Sequence, residues 1–391
     1  MHLPNLYRHA RRGAALAGFA ALIAAPPAQA RDGLDLSLGY VADLSVTASG
    51  GADQRLRYLD NLEVALDADL GALAGLDGVQ LHIGVLNNLG ARPNDGALSL
   101  QGVDNIEVPE ASPHLFEAWA QQQLGKASLR VGLYDLNSEF YASESAGLLI
   151  APPFGIGSEL AASGPAGPSI FPSSALAARL RIDLGAGHGY AQAAVLNARA
   201  QTLGDPGGVD LSFDDGLIVI GEAGVGKRLR VGLGGWTYTR PRDALFALDA
   251  QGQPLRQRPA GVYGLVEAQV AQGGPRAVTL FLRGGAARGQ TQPFGHSLQA
   301  GVLVSPALIG RDDSAFSIGF HRAGTSADFR AAQTVLGEPA WHSESVVEVT
   351  YADALTPFLT VQPDLQWIEQ RGAGGATRRV VHATLRLSFA F

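Results

Sequence analysis

Period-two alternation over a run of about fourteen residues constrains this chain more than any other feature. From Leu34, the even positions read Leu34, Leu36, Leu38, Tyr40, Ala42, Leu44 and Val46; the odd ones read Asp35, Ser37, Gly39, Val41, Asp43, Ser45 and Thr47. In an extended strand a period of two puts these sets on opposite faces. Strands in water-soluble sheets average roughly 5–6 residues. A tilted strand that crosses an outer membrane needs roughly 9–11. The run fits the second description, with one face for lipid and one for water.

The pattern recurs. Leu62, Val64, Leu66 and Ala68 alternate with Glu63, Ala65 and Asp67; Phe116, Ala118 and Ala120 alternate with Glu117, Trp119 and Gln121; Val361, Pro363, Leu365 and Trp367 alternate with Gln362, Asp364 and Gln366. Alternation predicts sixteen strands, near 34–48, 56–66, 79–87, 115–124, 127–135, 175–184, 188–197, 216–225, 227–238, 261–272, 277–287, 296–306, 314–323, 343–352, 356–368 and 379–391. Short connections at 125–126 and 185–187 contrast with long ones rich in Gly, Pro and Asp at 88–114, 136–174, 239–260 and 324–342. Short turns on one rim and long loops on the other characterise transmembrane β-barrels. In lipid every backbone N–H and C=O must pair within the protein, so the sheet must close. The fold expected is therefore all-β: a transmembrane antiparallel β-barrel of about 16 strands. Closure at that number leaves a water-filled lumen, with polar odd positions facing water inside.

The ends agree. Arg8, Arg11 and Arg12 precede an apolar stretch at Gly13–Ala25 and an A-x-A site at Ala28–Ala30. Residues 1–30 read as a cleaved signal peptide and 31–391 as the outer-membrane barrel domain, so the chain is expected to leave the cytoplasm. Without the three leader arginines, 26 basic residues face 36 acidic ones, a balance near −10 that argues against nucleic acid. There is no cysteine, hence no disulfide and no thiolate metal site. Past the leader no apolar run is long enough for a membrane-spanning helix. The last strand alternates Leu385, Leu387, Phe389 and Phe391 with Thr384, Arg386, Ser388 and Ala390. It resembles the C-terminal signal by which outer-membrane barrels are recognised for assembly, with Phe391 as its last residue.

Few motifs point to chemistry. Gly221-Glu-Ala-Gly-Val-Gly-Lys227 has phosphate-loop spacing, but Arg228 stands where Ser or Thr would hold Mg²⁺, and a strand follows where a helix is needed. It reads as a hairpin turn. His82, His114, His188, His296, His321, His342 and His382 form no metal-ligand spacing. No metal, no cofactor and no catalytic residues are expected; a barrel-embedded hydrolase is the weakest alternative. Trp236, Trp341 and Trp367, with Tyr40 and Tyr351, read as interfacial girdle residues. Trp119 differs: alternation puts it beside Glu117 and Gln121 on the polar face, where an indole could stack on a sugar ring.

The central stretch "LFEAWAQQQLGKASLRVGLYDLNSEFY", followed by "APPFGIGSELAASGPAGPSIFPSSALAARLRID", resembles the carbohydrate-selective porins of Gram-negative outer membranes, the OprB-like family. The matching positions are Gly132, Asp135, Asn137 and Phe140, then Phe154-Gly155, Gly167-Pro168, Phe171-Pro172 and Arg179. "GVQLHIGVLNNLG", "GVDNIEV" and "VVEVTYADALTPFLTVQPDLQWI" add to it, the last with Gln362-Pro363 and Gln366. The likeness is stronger over 79–182 and 343–391 than over 200–330. Ala151-Pro152-Pro153 and Ala177-Ala178 depart from the family's pattern.

The resemblance implies loops folded inward to constrict the pore, and passive diffusion of glucose-like sugars and other small neutral solutes. A general or anion-tuned diffusion porin is the alternative. By alternation and family position the substrate path is expected to include Glu117, Trp119, Arg130, Glu139, Arg179 and Arg181. Asp135 and Asn137 are either part of that path or staples of the following loop. Expected partners are small sugars as permeants, outer-membrane lipid and lipopolysaccharide, and the barrel assembly machinery through the C-terminal strand. A homotrimer stays open.

Overall fold

The structure, a computed structural model, describes residues 33–185, 189–271 and 276–391. The leader at 1–30 and His188 lie outside the described residues. Sixteen strands close one antiparallel barrel. They are β1 (Leu34–Ser49), β2 (Leu56–Asp69), β3 (Val79–Gly90), β4 (Pro113–Leu124), β5 (Ala127–Tyr134), β6 (Ala175–Leu184), β7 (Gly189–Asn197), β8 (Leu217–Val225) and β9 (Leu229–Tyr238). After a hairpin outside the barrel, β10 (Arg242–Leu248) with β11 (Pro254–Gln257), come β12 (Ala260–Ala271), β13 (Ala277–Ala287), β14 (Phe294–Ser305) and β15 (Ser314–Thr325). Then follow β16 (Trp341–Thr356), β17 (Leu359–Gly372) and β18 (Thr377–Ala390). Neighbours in sequence are neighbours in the wall, and β18 pairs with β1 to close it, Tyr40 opposite Phe389 and Leu44 opposite Leu385. Each strand expected from alternation is present, including those over 200–330, and Gly221–Lys227 forms the end of β8 and its turn into β9.

The apolar face points out. Leu36, Leu44, Ile83, Val131, Leu180 and Leu365 are exposed, while Asp43, Ser45, Thr47 and Gln366 are buried inside. This inversion of the water-soluble pattern is what lipid outside demands. Trp367 faces out and Trp236 faces in. Trp236 is therefore no girdle residue: it lies in a buried cluster with Tyr134, Leu136, Phe140, Leu160, Leu196, Ile220 and Tyr263.

That cluster shows the inward folding of loops that was expected. At the long-loop end the lumen is packed, because two long connections fold into it. The first, at 91–112, sets Ala97 and Val103 against Val346, Ile368 and Val380 of β16, β17 and β18. The second, at 135–174, sets Phe140 and Leu160 against the β5–β12 wall, and Leu149 and Phe154 against Phe281. Glycines make the seats. A Cβ at Gly319 on β15 would lie 2.5 Å from the Phe154 ring and 2.6 Å from Leu149 Cδ1. A helix at Ala327–Leu336, with Ser326 as its N-cap and Gly337 at φ 73° as its C-cap, lies against β10, and Ala247 N donates to Asp328 Oδ2 at 3.0 Å.

Candidate functional site

A loop inside a barrel brings backbone donors and acceptors away from bulk water, and each must find a partner. Here the wall supplies them in two chemical forms. Carboxylates accept loop N–H groups. Glu222 on β8 accepts from Tyr141 N at 2.8 Å. Glu267 on β12 accepts from Ser145 N at 3.0 Å. Glu348 on β16 accepts from Ile150 N and from Ala151 N, the latter at 3.1 Å. Glu344, also on β16, accepts from Leu100 N at 2.8 Å and Ser99 Oγ at 2.7 Å.

Guanidinium and amide groups donate to loop carbonyls. Arg283 on β13 reaches Tyr141 O at 2.8 Å, Pro153 O at 2.9 Å and Gly155 O at 3.0 Å. Gln362, Gln366 and Gln370 on β17 reach Leu148 O, Val103 O and Leu98 O at 2.7, 2.8 and 2.8 Å. Ser158 Oγ donates to Gln101 Oε1 at 2.6 Å and ties the two loops together. Burial raises the pKa of the loop carboxyl Glu159, which accepts from Ser297 Oγ on β14.

The residues singled out by alternation gather around β4, β5 and β6, in two layers. Arg179 is the deep one, with 1% of its side chain exposed. Its Nε and Nη2 grip Glu139 at 2.6 and 2.8 Å, and its Nη1 donates to Ser128 Oγ at 2.7 Å. Glu139 also accepts from Tyr134 OH at 2.7 Å. Asp135 caps the 3₁₀ turn at Leu136–Ser138 by accepting from Asn137 N at 2.8 Å. Asn137 Nδ2 donates to Phe140 O and Gly155 O at 3.2 and 3.1 Å. These bonds tie the polar row to the turn and to the loop that follows it.

Arg130, Glu117, Trp119 and Arg181 are partly open to the lumen. Arg130 sits directly opposite Arg179 in the strand register. Such like-charge pairing is unfavourable unless it is bridged, and Gln121 Oε1 bridges it, accepting from Arg130 Nε and Nη2 at 3.1 and 3.0 Å and from Arg179 Nη2 at 2.8 Å. The Arg130 guanidinium lies 3.7 Å over the Trp119 ring, and His82 of β3 stacks on the same indole at 4.9 Å. Strands β3 and β5 flank β4, so the indole is engaged from both sides and offers no bare stacking face. Trp119 Nε1 donates to Glu117 Oε1 at 3.2 Å. Arg181 lies 4.5 Å over Tyr190 and donates to Gln192 Oε1 at 3.1 Å. Arg230, which sequence reasoning missed, continues this band on β9 through Glu267 at 2.9 Å and Tyr190 OH at 3.0 Å. Its inward position on an alternating strand was the available signal.

The model of the carbohydrate-selective porin, OprB family, matches residues 53–391. The chain belongs to that family. The porin is an outer-membrane barrel for carbohydrates, and its fold and family are those of a channel. It is similar to OprB of Pseudomonas putida in its high-pH structure, at 19% identity over 92% of this chain and 94% of that one, TM-score 0.80. The low-pH structure of the same relative matches at 16% identity over 92% and 93%, TM-score 0.57. An anion-selective porin from Comamonas acidovorans matches at 11% identity over 92% of the porin described here and all of that chain, TM-score 0.53. At these identities the likeness is one of fold. No curated protein sequence matches the porin.

Proposed function

We propose that neutral sugars of glucose size cross the lumen along the open band formed by Glu117, Arg130, Arg181 and Arg230, past the edge of the 135–174 loop. The observation that carries this reading is that planar donors and a carboxylate stay partly exposed there; Glu117 and Arg230 each also take one loop backbone contact, Asp135 N and Ala142 O, both at 3.1 Å, whereas Arg179 is buried and fully engaged. Charge-assisted hydrogen bonds suit sugar hydroxyls. A conducting site must bind weakly enough to release, and guanidinium groups already engaged by Gln121, Gln192 and Glu267 have part of their capacity spent. Trp119 acts as the support that holds Arg130 flat. Arg179, Glu139, Asp135 and Asn137 act as the frame of the loop. The unit that does this is residues 31–391, after removal of 1–30. Phe391, stacked on Phe358 at 6.4 Å beside the closing seam, presents β18 to the assembly machinery.

In liposomes the porin should admit glucose faster than charged solutes of similar size, and sugar should block single-channel current. Arg130→Ala and Arg181→Ala should each weaken that block several-fold, roughly the loss of one charge-assisted hydrogen bond. Equal rates for all solutes of one size would sink the reading. The partly exposed arginines favour a second one, an anion-tuned general porin. Strong anion selectivity without sugar block would establish it.

A further inference from the structure

Among the described residues, most arginines on the barrel strands have inward parity and three point outward: Arg322, Arg371 and Arg379, on β15, β17 and β18. All three stand at the long-loop end of one sector. Register aligns them further. Arg322 is opposite Ser345, Ser345 is opposite Glu369, and Glu369 is opposite Arg379, which makes one outward row across four adjacent strands. Arg371 is two residues beyond Glu369 on the same face.

The row is built rather than scattered. Glu369, 19% exposed, holds Arg371 at 2.6 Å and Arg379 at 2.9 Å, while these two side chains are 64% and 66% exposed. Arg322 has hydroxyl partners, Ser345 Oγ at 3.0 Å and Ser343 Oγ at 2.9 Å. Three cations and one anion leave the row with a net positive charge of two.

Immediately below on the same face is an apolar row, Phe320, Val347, Trp367 and Val381, and below that Ile318, Val349, Leu365 and Ala383. Trp367 is 58% exposed. An exposed Trp on the lipid face marks the depth of the headgroup boundary. The arginines therefore stand at headgroup level, directly over surface suited to acyl chains. The row spans three strand spacings, about 14 Å.

We propose that this row docks the phosphate groups of an outer-leaflet glycolipid, whose acyl chains lie on the two apolar rows beneath. Arginine suits the task, since its fork pairs with phosphate in two-point geometry and is weakly hydrated. Glu369 is the positioning residue that sets Arg371 and Arg379 side by side.

The test uses the full barrel in detergent micelles doped with bis-phosphorylated lipid A, or with the same lipid stripped of both phosphates. Native mass spectrometry reads the bound lipid. The phosphorylated form should be retained in preference, and the triple variant Arg322→Gln, Arg371→Gln, Arg379→Gln should lose on the order of a hundredfold in retention. Its glucose flux and heat-modifiable migration should match wild type, because none of the three residues lines the lumen. If the triple variant fails to assemble, Arg322→Gln alone serves, with an expected loss of about fivefold. Equal retention of the two lipids, or equal retention by variant and wild type, overturns the proposal. So does a variant that changes oligomeric state while keeping its lipid, since the row would then be a contact between barrels.

Discussion

Arg179 is a charge that its surroundings barely let out. With 1% exposure, its guanidinium depends on Glu139, Gln121 and Ser128 for every contact. Removing one partner of a buried pair leaves the other uncompensated, at a cost of about 3–5 kcal/mol. Arg179→Met should therefore lower the heat-modification midpoint strongly, and adding Glu139→Leu should recover part of the loss. A single variant as stable as wild type would show that Glu139 is not fixing the loop. A second residue gives a pH test. Burial raises the Asp104 carboxyl well above 3.8, the nearby Asp43 raises it further, and Arg386 opposes both. The seated loop thus binds this proton more tightly than the released loop does. Seating is fully favoured below the ordinary value of 3.8 and is weakened as pH rises from there through the raised value. Glu159, raised by burial, has the same sign. Hydrogen exchange at Ile106, whose N–H donates to Asp104 at 3.1 Å, should lose protection as pH rises, once intrinsic rates are corrected. Protection that grew with pH would refute the assignment.

At the scale of elements, the two inward loops decide what remains of the lumen. Gly319→Val should displace Phe154 and Leu149 from their seat, cost about 1–3 kcal/mol by overpacking and raise single-channel conductance with sugar block reduced. Unchanged conductance would mean that the loop does not constrict the path. The strands were legible in the sequence because lipid on one side and polar groups on the other enforce strict alternation, visible in Leu34–Val46 and again in Val361–Trp367. The loops were legible only as lengths. Alternation says that Glu344, Glu348, Gln366 and Gln370 face inward; it cannot say that they meet loop backbone instead of water. That depends on register between strands hundreds of residues from the loop, such as Gln370 and Leu98. For the same reason Trp119 read as an open surface: its coverage by His82 and Arg130 is set by two neighbouring strands, which no single run of residues displays. The hairpin β10–β11 and the helix at Ala327–Leu336 were hidden inside long connections, although Ser326 and Gly337 are recognisable caps.

For the whole molecule, closure is the organising fact. Phe391 N donates to Leu38 O at 3.0 Å beside the β1–β18 seam, so Phe391 helps complete the wall. Deleting Phe391 should reduce the folded, heat-modifiable form in membranes by several-fold while leaving export unaffected; normal assembly of the truncated chain would remove its proposed role. The 135–174 loop has a further consequence at this scale. It is anchored to β8 and β12 through Glu222 and Glu267, and to β13, β16 and β17 through Arg283, Glu348 and Gln362. These attachments join opposite arcs of the wall. A hollow cylinder resists flattening poorly, whereas one with an internal strut cannot become oval without breaking the strut's attachments. The loop inside the lumen is thus also a mechanical cross-brace against flattening of the wall.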